Sequence, residues 1–226
     1  MNDRHVQTEP SILYFGTPVV LISTRNEDGS ANIAPMSSAF WLGWRCLLGL
    51  GSSSKTAGNL IRTGECVLNL PSANEVEAVN RLARLTGANP VPASKKARGY
   101  KYEPRKFEAA GLTQAPSATV SVPLALECPV QLEAVLAAKH GIAEDSSWKG
   151  VLCAFEVRIQ RVHALPEILM ADHPNRIDPD KWRPLIMSFQ KFYGLAAGQI
   201  HESLLGEIPE ESYRSPDIDR ARTACD

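Results

Sequence analysis

The stretch Gly51-Ser52-Ser53-Ser54-Lys55-Thr56, followed by Ala57-Gly58-Asn59-Leu60, brings hydroxyls and an ammonium group to the point where an apolar strand pattern gives way to a helical one. A helix N-terminus carries unpaired N–H groups and a partial positive charge. Ser and Thr hydroxyls add donors there, and Lys55 adds a full charge. Together these groups are what a phosphate monoester requires. The glycine spacing of a Walker A loop is absent. The same residues also read more plainly, as a serine N-cap beside a surface lysine. A second stretch, Ala31-Asn32-Ile33-Ala34-Pro35-Met36-Ser37-Ser38, sets a proline and small residues at a strand end. Backbone N–H groups there lack a neighbouring strand and can meet the polar edge of a planar ligand, with Ala34 and Pro35 allowing close approach. It reads equally as a bulged edge strand.

Other chemistries find less support. The histidines His5, His140, His163, His173 and His201 are scattered, and none pairs with another His or with Cys at metal-ligand spacing. The cysteines Cys46, Cys66, Cys128, Cys153 and Cys225 form no CxxC pair, and four sit in apolar runs, where free cysteine behaves as a small buried hydrophobe. Reduced packing residues of a cytoplasmic protein are the simpler reading. His163 reads as a solvated strand-end residue and His140 as a turn residue. The chain balances 24 Lys+Arg against 25 Asp+Glu, a formal net charge of -1, which gives no electrostatic case for nucleic acid or an anionic membrane. No apolar run approaches the length of a membrane span, and the polar start lacks a signal-peptide core.

The elements that must position these stretches are mostly strands. Residues 17–25 (TPVVLISTR) are β-branched and apolar, and Asp28-Gly29 marks a hairpin turn before 31–37 return antiparallel. Pro35 removes a ladder donor, so that strand must break or lie at an edge. Residues 45–51 (RCLLGLG) predict a third strand, 54–63 a short helix stopped by Gly64, 65–70 (ECVLNL) another strand, and 74–85 a helix. Residues 86–114 are a long irregular excursion with a basic patch over 95–106, either a solvated surface segment or a flap over a ligand site. Strand patterns resume at 119–126, 130–137 and 151–163. In the last, Val151, Cys153, Phe155, Val157 and Ile159 share one face and Glu156, Arg158 and Gln160 the other. Residues 178–181 predict a helix start with Pro179 just inside it. An aromatic and aliphatic segment, 182–193, follows, and 215–226 read as a fraying terminus. Six or seven strands with few helices argue for one mainly β barrel with helical additions. Trp41 and Trp44 read as core or interface anchors.

The order of motifs carries more than any one of them: Asn32-Ile33-Ala34-Pro35-Met36-Ser37-Ser38, then Ser52 to Asn59, then Gly64-Glu65-Cys66-Val67-Leu68-Asn69-Leu70. This order resembles the flavin reductase-like, FMN-binding split-barrel family, which includes flavoredoxins. The resemblance implies a Greek-key split β-barrel over residues 10–165. Residues 166–226 would form a C-terminal extension that packs on the barrel or on a dimer partner. It implies a homodimer with FMN near the interface. The flavin ring edge would follow Ile33, Ala34, Pro35, Met36 and Ser37, and Ser52, Ser53, Ser54, Lys55 and Thr56 would surround the phosphate. Ser37, Ser38 and Asn59 would supply ribityl, phosphate or more distant hydrogen bonds. Phe192 and Tyr193 could stack near the flavin or pack in the core. The chemistry would be the flavin's, with no protein acid–base dyad. NADH or NADPH would bind transiently on the ring, consistent with the lack of a GxGxxG loop. The implied activity is an NAD(P)H-dependent flavin reductase serving a flavin-dependent monooxygenase or another redox partner. A flavoredoxin-type electron carrier and a non-catalytic flavin-binding protein are the alternatives.

Overall fold

The computed structural model describes residues 4–223. Its centre is one seven-stranded antiparallel sheet. The strands are β1 (Val20–Arg25), β2 (Ala31–Met36), β3 (Ala39–Leu42), β4 (Arg45–Gly51), β5 (Glu65–Leu70), β6 (Val130–Ile142) and β7 (Leu152–Ala164), in the spatial order β2-β1-β5-β6-β7-β4-β3. The two edge strands, β2 and β3, are consecutive in the chain and joined only by Ser37 and Ser38. A sheet whose edges are tied by two residues must curl until those edges meet at that corner.

Alternation decides which side chains fill the curl. On β4, Cys46, Leu48 and Leu50 point inward, and on β7 Cys153, Phe155, Val157 and Ile159 do the same. They pack with Val20, Ile22, Leu68 and, from helix α1 (Lys55–Thr63), Ala57 and Leu60. The opposite face of β1 and β2 buries Leu21 and Ile33 against helices α2 (Val76–Leu82) and α4 (Lys106–Ala110), through Val79, Leu82, Phe107 and Ala110. Between α2 and α4 the chain makes one further short helix, α3 (Ala93–Lys96).

The β1–β2 turn forms as its residues require. Gly29 takes φ +82°, and Asp28 accepts from the Ser30 amide at 2.9 Å. Pro35 lies on edge strand β2, where its missing N–H costs no sheet pairing on the outer side. Cys46, Cys66, Cys128 and Cys153 are buried free thiols. Burial pushes the Cys46 thiol up to about 12 and raises Cys66 and Cys128 as well. Cys225 lies outside the described residues.

Several expectations are corrected. Of residues 119–126 only Leu124–Ala125 is a strand. The fully buried Glu133 carboxylate accepts from the Ala118 and Thr119 amides and the Thr119 hydroxyl, so side-chain bonds replace a ladder there. Burial raises the Glu133 pKa, but these bonds and the His163 contact outweigh it and hold the carboxyl below its ordinary value. His163 is therefore a partner of that carboxylate, Nε2 to Oε1 2.6 Å, rather than a free strand-end residue. His140 belongs to β6, which runs beyond the expected 130–137 and pairs with β7 out to Ile142.

Residues 178–181 make a single turn, with the Lys181 and Trp182 amides donating to the Asp178 carbonyl. Pro184 lacks the N–H to continue a helix, and the chain passes into the hairpin of Ile186–Ser188 and Lys191–Tyr193 instead. That hairpin pairs with the short strand Phe15–Pro18. Phe192 packs against the second core and Tyr193 is exposed. Trp41 and Trp44 pack against the first core. Of the terminus expected to fray, residues 216–223 form helix α5 (Pro216–Thr223), which buries Ala221 and ties Asp217 to the Arg45 guanidinium at 2.9 and 3.2 Å, and residues 224–226 lie outside the described residues.

Candidate flavin phosphate site

Ser54 caps α1 as its type predicts, with extended backbone and a hydroxyl that accepts from the Ala57 amide at 3.1 Å. Gly64, at φ +71°, ends the helix by donating to the Leu60 carbonyl. Beside its apolar contact through Ala57, the N-terminal half of α1 lies against β1 and β2 through a buried polar cluster. Asn59 donates to the Thr24 hydroxyl at 3.1 Å and to the Asn26 carbonyl oxygen of its side chain at 2.8 Å. Asn32 donates to the same Thr24 hydroxyl at 3.2 Å and to that of Thr56 at 3.4 Å. These bonds fix the start of α1 beside edge strand β2.

Lys106 enters this cluster from α4. It is 2% exposed, and its Nζ lies 3.5 Å from Asn32 Oδ1. Among the described residues no carboxylate pairs with it. Burial, aided by repulsion from Lys95, pulls its ammonium down to about 7. Lys55 closes the other side and pairs with Glu27, whose carboxyl that hydrogen bond holds below its ordinary value. Gly87 sits against Asn32 and Lys55. A Cβ added there would meet Asn32 Oδ1 at 2.7 Å and Lys55 Cγ at 3.3 Å, so glycine is what lets the 86–106 segment approach.

The structure therefore brings together Lys55, Thr56 and Asn59 of the expected set and sets them beside the strand carrying Ile33, Ala34, Pro35 and Met36. It separates others. Ser52 donates its hydroxyl to the Gly150 carbonyl at 2.6 Å, and Ser53 is exposed. Ser38 packs under Gly49, while Ser37 joins the two edge strands. Ile33 points into the second core, so only its backbone faces the β2 edge, and Met36 packs on the first core.

Lys106 was hidden in the sequence by its neighbours, because one lysine in the run 95–106 looks like the rest. Its nearest signal is the following Phe107 and Ala110, which mark the buried face of a short helix. A buried cation without a carboxylate, a helix N-terminus and the hydroxyl of Thr56 together fit a phosphate dianion in charge and in donor type. Among the described residues no cluster of His, Cys, Asp and Glu could hold a metal ion. Among the described residues no helix is long and apolar enough to cross a membrane.

The chain belongs to the flavin reductase like domain family, which it matches over residues 12–194. Among curated proteins it is 40% identical over 192 residues to YdfE of Bacillus subtilis (strain 168), itself uncharacterised, covering 85% of this chain and 90% of that one. Among solved structures it resembles the flavoredoxin of Desulfovibrio vulgaris (Miyazaki F), with a TM-score of 0.70, 21% identity, and coverage of 90% of this chain and 99% of that one. Component B of nitrilotriacetate monooxygenase from Bacillus cereus gives a TM-score of 0.67 at 21% identity, over 85% of this chain and 89% of that one. A split-barrel domain from Shewanella frigidimarina NCIMB 400 gives 0.63 at 18% identity, over 83% and 86%. The fold is thus mainly β, with flavin reductase split-barrel neighbours.

Proposed function

We propose that this chain is an NAD(P)H:flavin oxidoreductase that holds FMN with its phosphate at the start of α1 and its ring along the outer edge of β2. The observation that carries this reading is the convergence of Lys106, Lys55, Asn32 and Thr56 on one helix N-terminus beside an unpaired strand edge. The bound flavin would supply the hydride chemistry. The chain's own groups would do the rest. Lys106 and Lys55 would neutralise the phosphate, with the α1 amides and Thr56 donating to its oxygens. Asn32 and Asn59 would keep those donors in place through Thr24 and Asn26. The backbone of Ile33 to Ser37 would fix the ring's polar edge, with Pro35 and Ala34 offering little bulk. Ser38 would stiffen the adjoining corner through its contact with Gly49.

We extend the reading to a homodimer built on residues 10–165, with 166–226 as the extension. Edge strand β3 exposes Phe40 and Leu42, apolar side chains that a second copy would cover. The electron acceptor is free flavin for a monooxygenase in the same cytoplasm. The test is the visible spectrum of purified protein with FMN, before and after anaerobic NADH or NADPH. Rapid bleaching followed by turnover of added FMN supports the reading. Bleaching by a reduced redox protein but by neither nicotinamide assigns the chain to electron transfer instead, and failure to take up FMN overturns both.

A further inference from the structure

The cations beside the cradle outnumber what one phosphate needs. Thr86, next to Gly87, accepts from Lys95 Nζ at 3.5 Å. Lys95 also lies 5.6 Å from the centroid of the Tyr100 ring, and the Arg98 guanidinium lies 5.9 Å from the same centroid. Arg98 is anchored in turn by donating from Nε to the Ser94 carbonyl at 3.0 Å. Two cations are thus held on one aromatic ring, and among the described residues neither has a carboxylate partner. Half-burial and the neighbouring guanidinium both lower the Lys95 ammonium's pKa. Lys95 is close enough to Lys106 to repel it. A like-charged group fixed in place at some cost, running outward from a phosphate cradle, lacks an anion of its own.

We infer that Lys95 and Arg98, braced on Tyr100 and Thr86, form a subsite for the diphosphate of an adenosine diphosphate moiety, next to the flavin phosphate cradle. This rests on the flavin reading for its neighbour but not for its own ligand chemistry. The diphosphate could come from two sources, the adenylate half of FAD or the nicotinamide donor. In either case the shared chemistry is a chain of two phosphates meeting an ammonium and a planar guanidinium. No covalent step is involved.

The experiment compares the full chain with Lys95→Ala/Arg98→Ala and with Lys95→Glu, by calorimetric titration with ADP, FMN and FAD and by steady-state kinetics with NADH and NADPH. The wild type should bind ADP, and both variants should weaken it at least tenfold, with the charge reversal the weaker. FMN affinity should fall by no more than about threefold, because losing Lys95 relieves the repulsion on Lys106. A matching loss for FAD assigns the diphosphate to the flavin. An unchanged FAD affinity with a KM for the nicotinamide raised at least tenfold at constant kcat assigns it to the donor. Equal losses for FMN and FAD, or no change for ADP, overturn the subsite. If the wild type binds ADP but no flavin, the flavin reading fails and the subsite stands.

Discussion

Replacing Lys106 by Met removes a buried charge while keeping an unbranched side chain of similar length. In the ligand-free protein Lys106 titrates near 7 instead of 10.5, because burial, with repulsion from Lys95, disfavours the ammonium. At about 1.36 kcal/mol per pH unit, the displacement corresponds to about 5 kcal/mol of preference for the neutral amine. Between about pH 7 and 10.5 the unfolded chain binds the proton that the folded chain has lost, so stability rises with pH across that window. Lys106→Met should abolish this rise, and at pH 7 and below it should leave the free protein as stable as the wild type or more so. Flavin binding should move the other way. A charge-assisted hydrogen bond is worth about 1.5–3 kcal/mol, so FMN affinity should fall about ten- to hundredfold. The pH profile separates this from simple damage. The phosphate gains its second charge near pH 6, while Lys106 loses its own near 7. Wild-type affinity should therefore peak between these values and fall by up to tenfold per unit above pH 7, whereas the variant should be flat there. Fluorescence titration of FMN from pH 5.5 to 9, with thermal melts of the free protein, reads both effects. A variant with wild-type FMN affinity and the same pH profile would refute the placement of Lys106 in the cradle.

Three further outcomes follow from the geometry. Lys55→Ala with Thr56→Ala should weaken FMN at least tenfold by titration while circular dichroism still reports the folded sheet; Lys55 pairs with the exposed Glu27, so the modest drop in melting temperature comes from the lost Asn32–Thr56 contact. Gly87→Ala would place a Cβ 2.7 Å from Asn32 Oδ1, so it should displace that side chain and lower FMN affinity, with the smaller effect expected on melting because the clash is with a side chain. Glu133→Gln should lower the melting temperature by about 5–10 °C at pH 7, from loss of about 2–3 kcal/mol in charged hydrogen bonds to Ala118, Thr119 and His163. Because the folded carboxyl titrates below 4.5, that stabilisation is complete above pH 4.5 and is lost as pH falls through the folded value. The difference between the two proteins should therefore shrink in acid.

Local signals were readable where the chain's own neighbours decide the structure. The Asp28-Gly29 turn, the Ser54 cap, the Gly64 stop and the alternation of Cys153 through Ile159 all need only a few adjacent residues. Pro35 at the sheet edge is the same kind of inference. The failures share a different cause. Residues 119–126 carry strand-forming types, yet the Thr119 amide donates to Glu133 and the Ser121 amide to Glu65, carboxylates from other parts of the chain. Asp178 and Pro179 begin a turn that Pro184 cannot extend. Lys106 is one of many basic residues in sequence, and only the docking of α4 against β2 turns it inward. The site was half legible for the same reason. The helix start at Lys55 and Thr56 is local, whereas the contributions of Asn32, Gly87 and Lys106 depend on packing between segments distant in the chain.

Comparing FMN with riboflavin tests most directly whether the start of α1 binds the phosphate of a flavin. The two share the ring and ribityl chain and differ in the phosphate alone. Fluorescence titration of the purified protein at pH 7 should show FMN binding at least a hundredfold more tightly than riboflavin, with Lys106→Met narrowing the gap at least tenfold by weakening only FMN. Equal affinity for the two flavins, or an equal loss of both in the variant, would contradict the account.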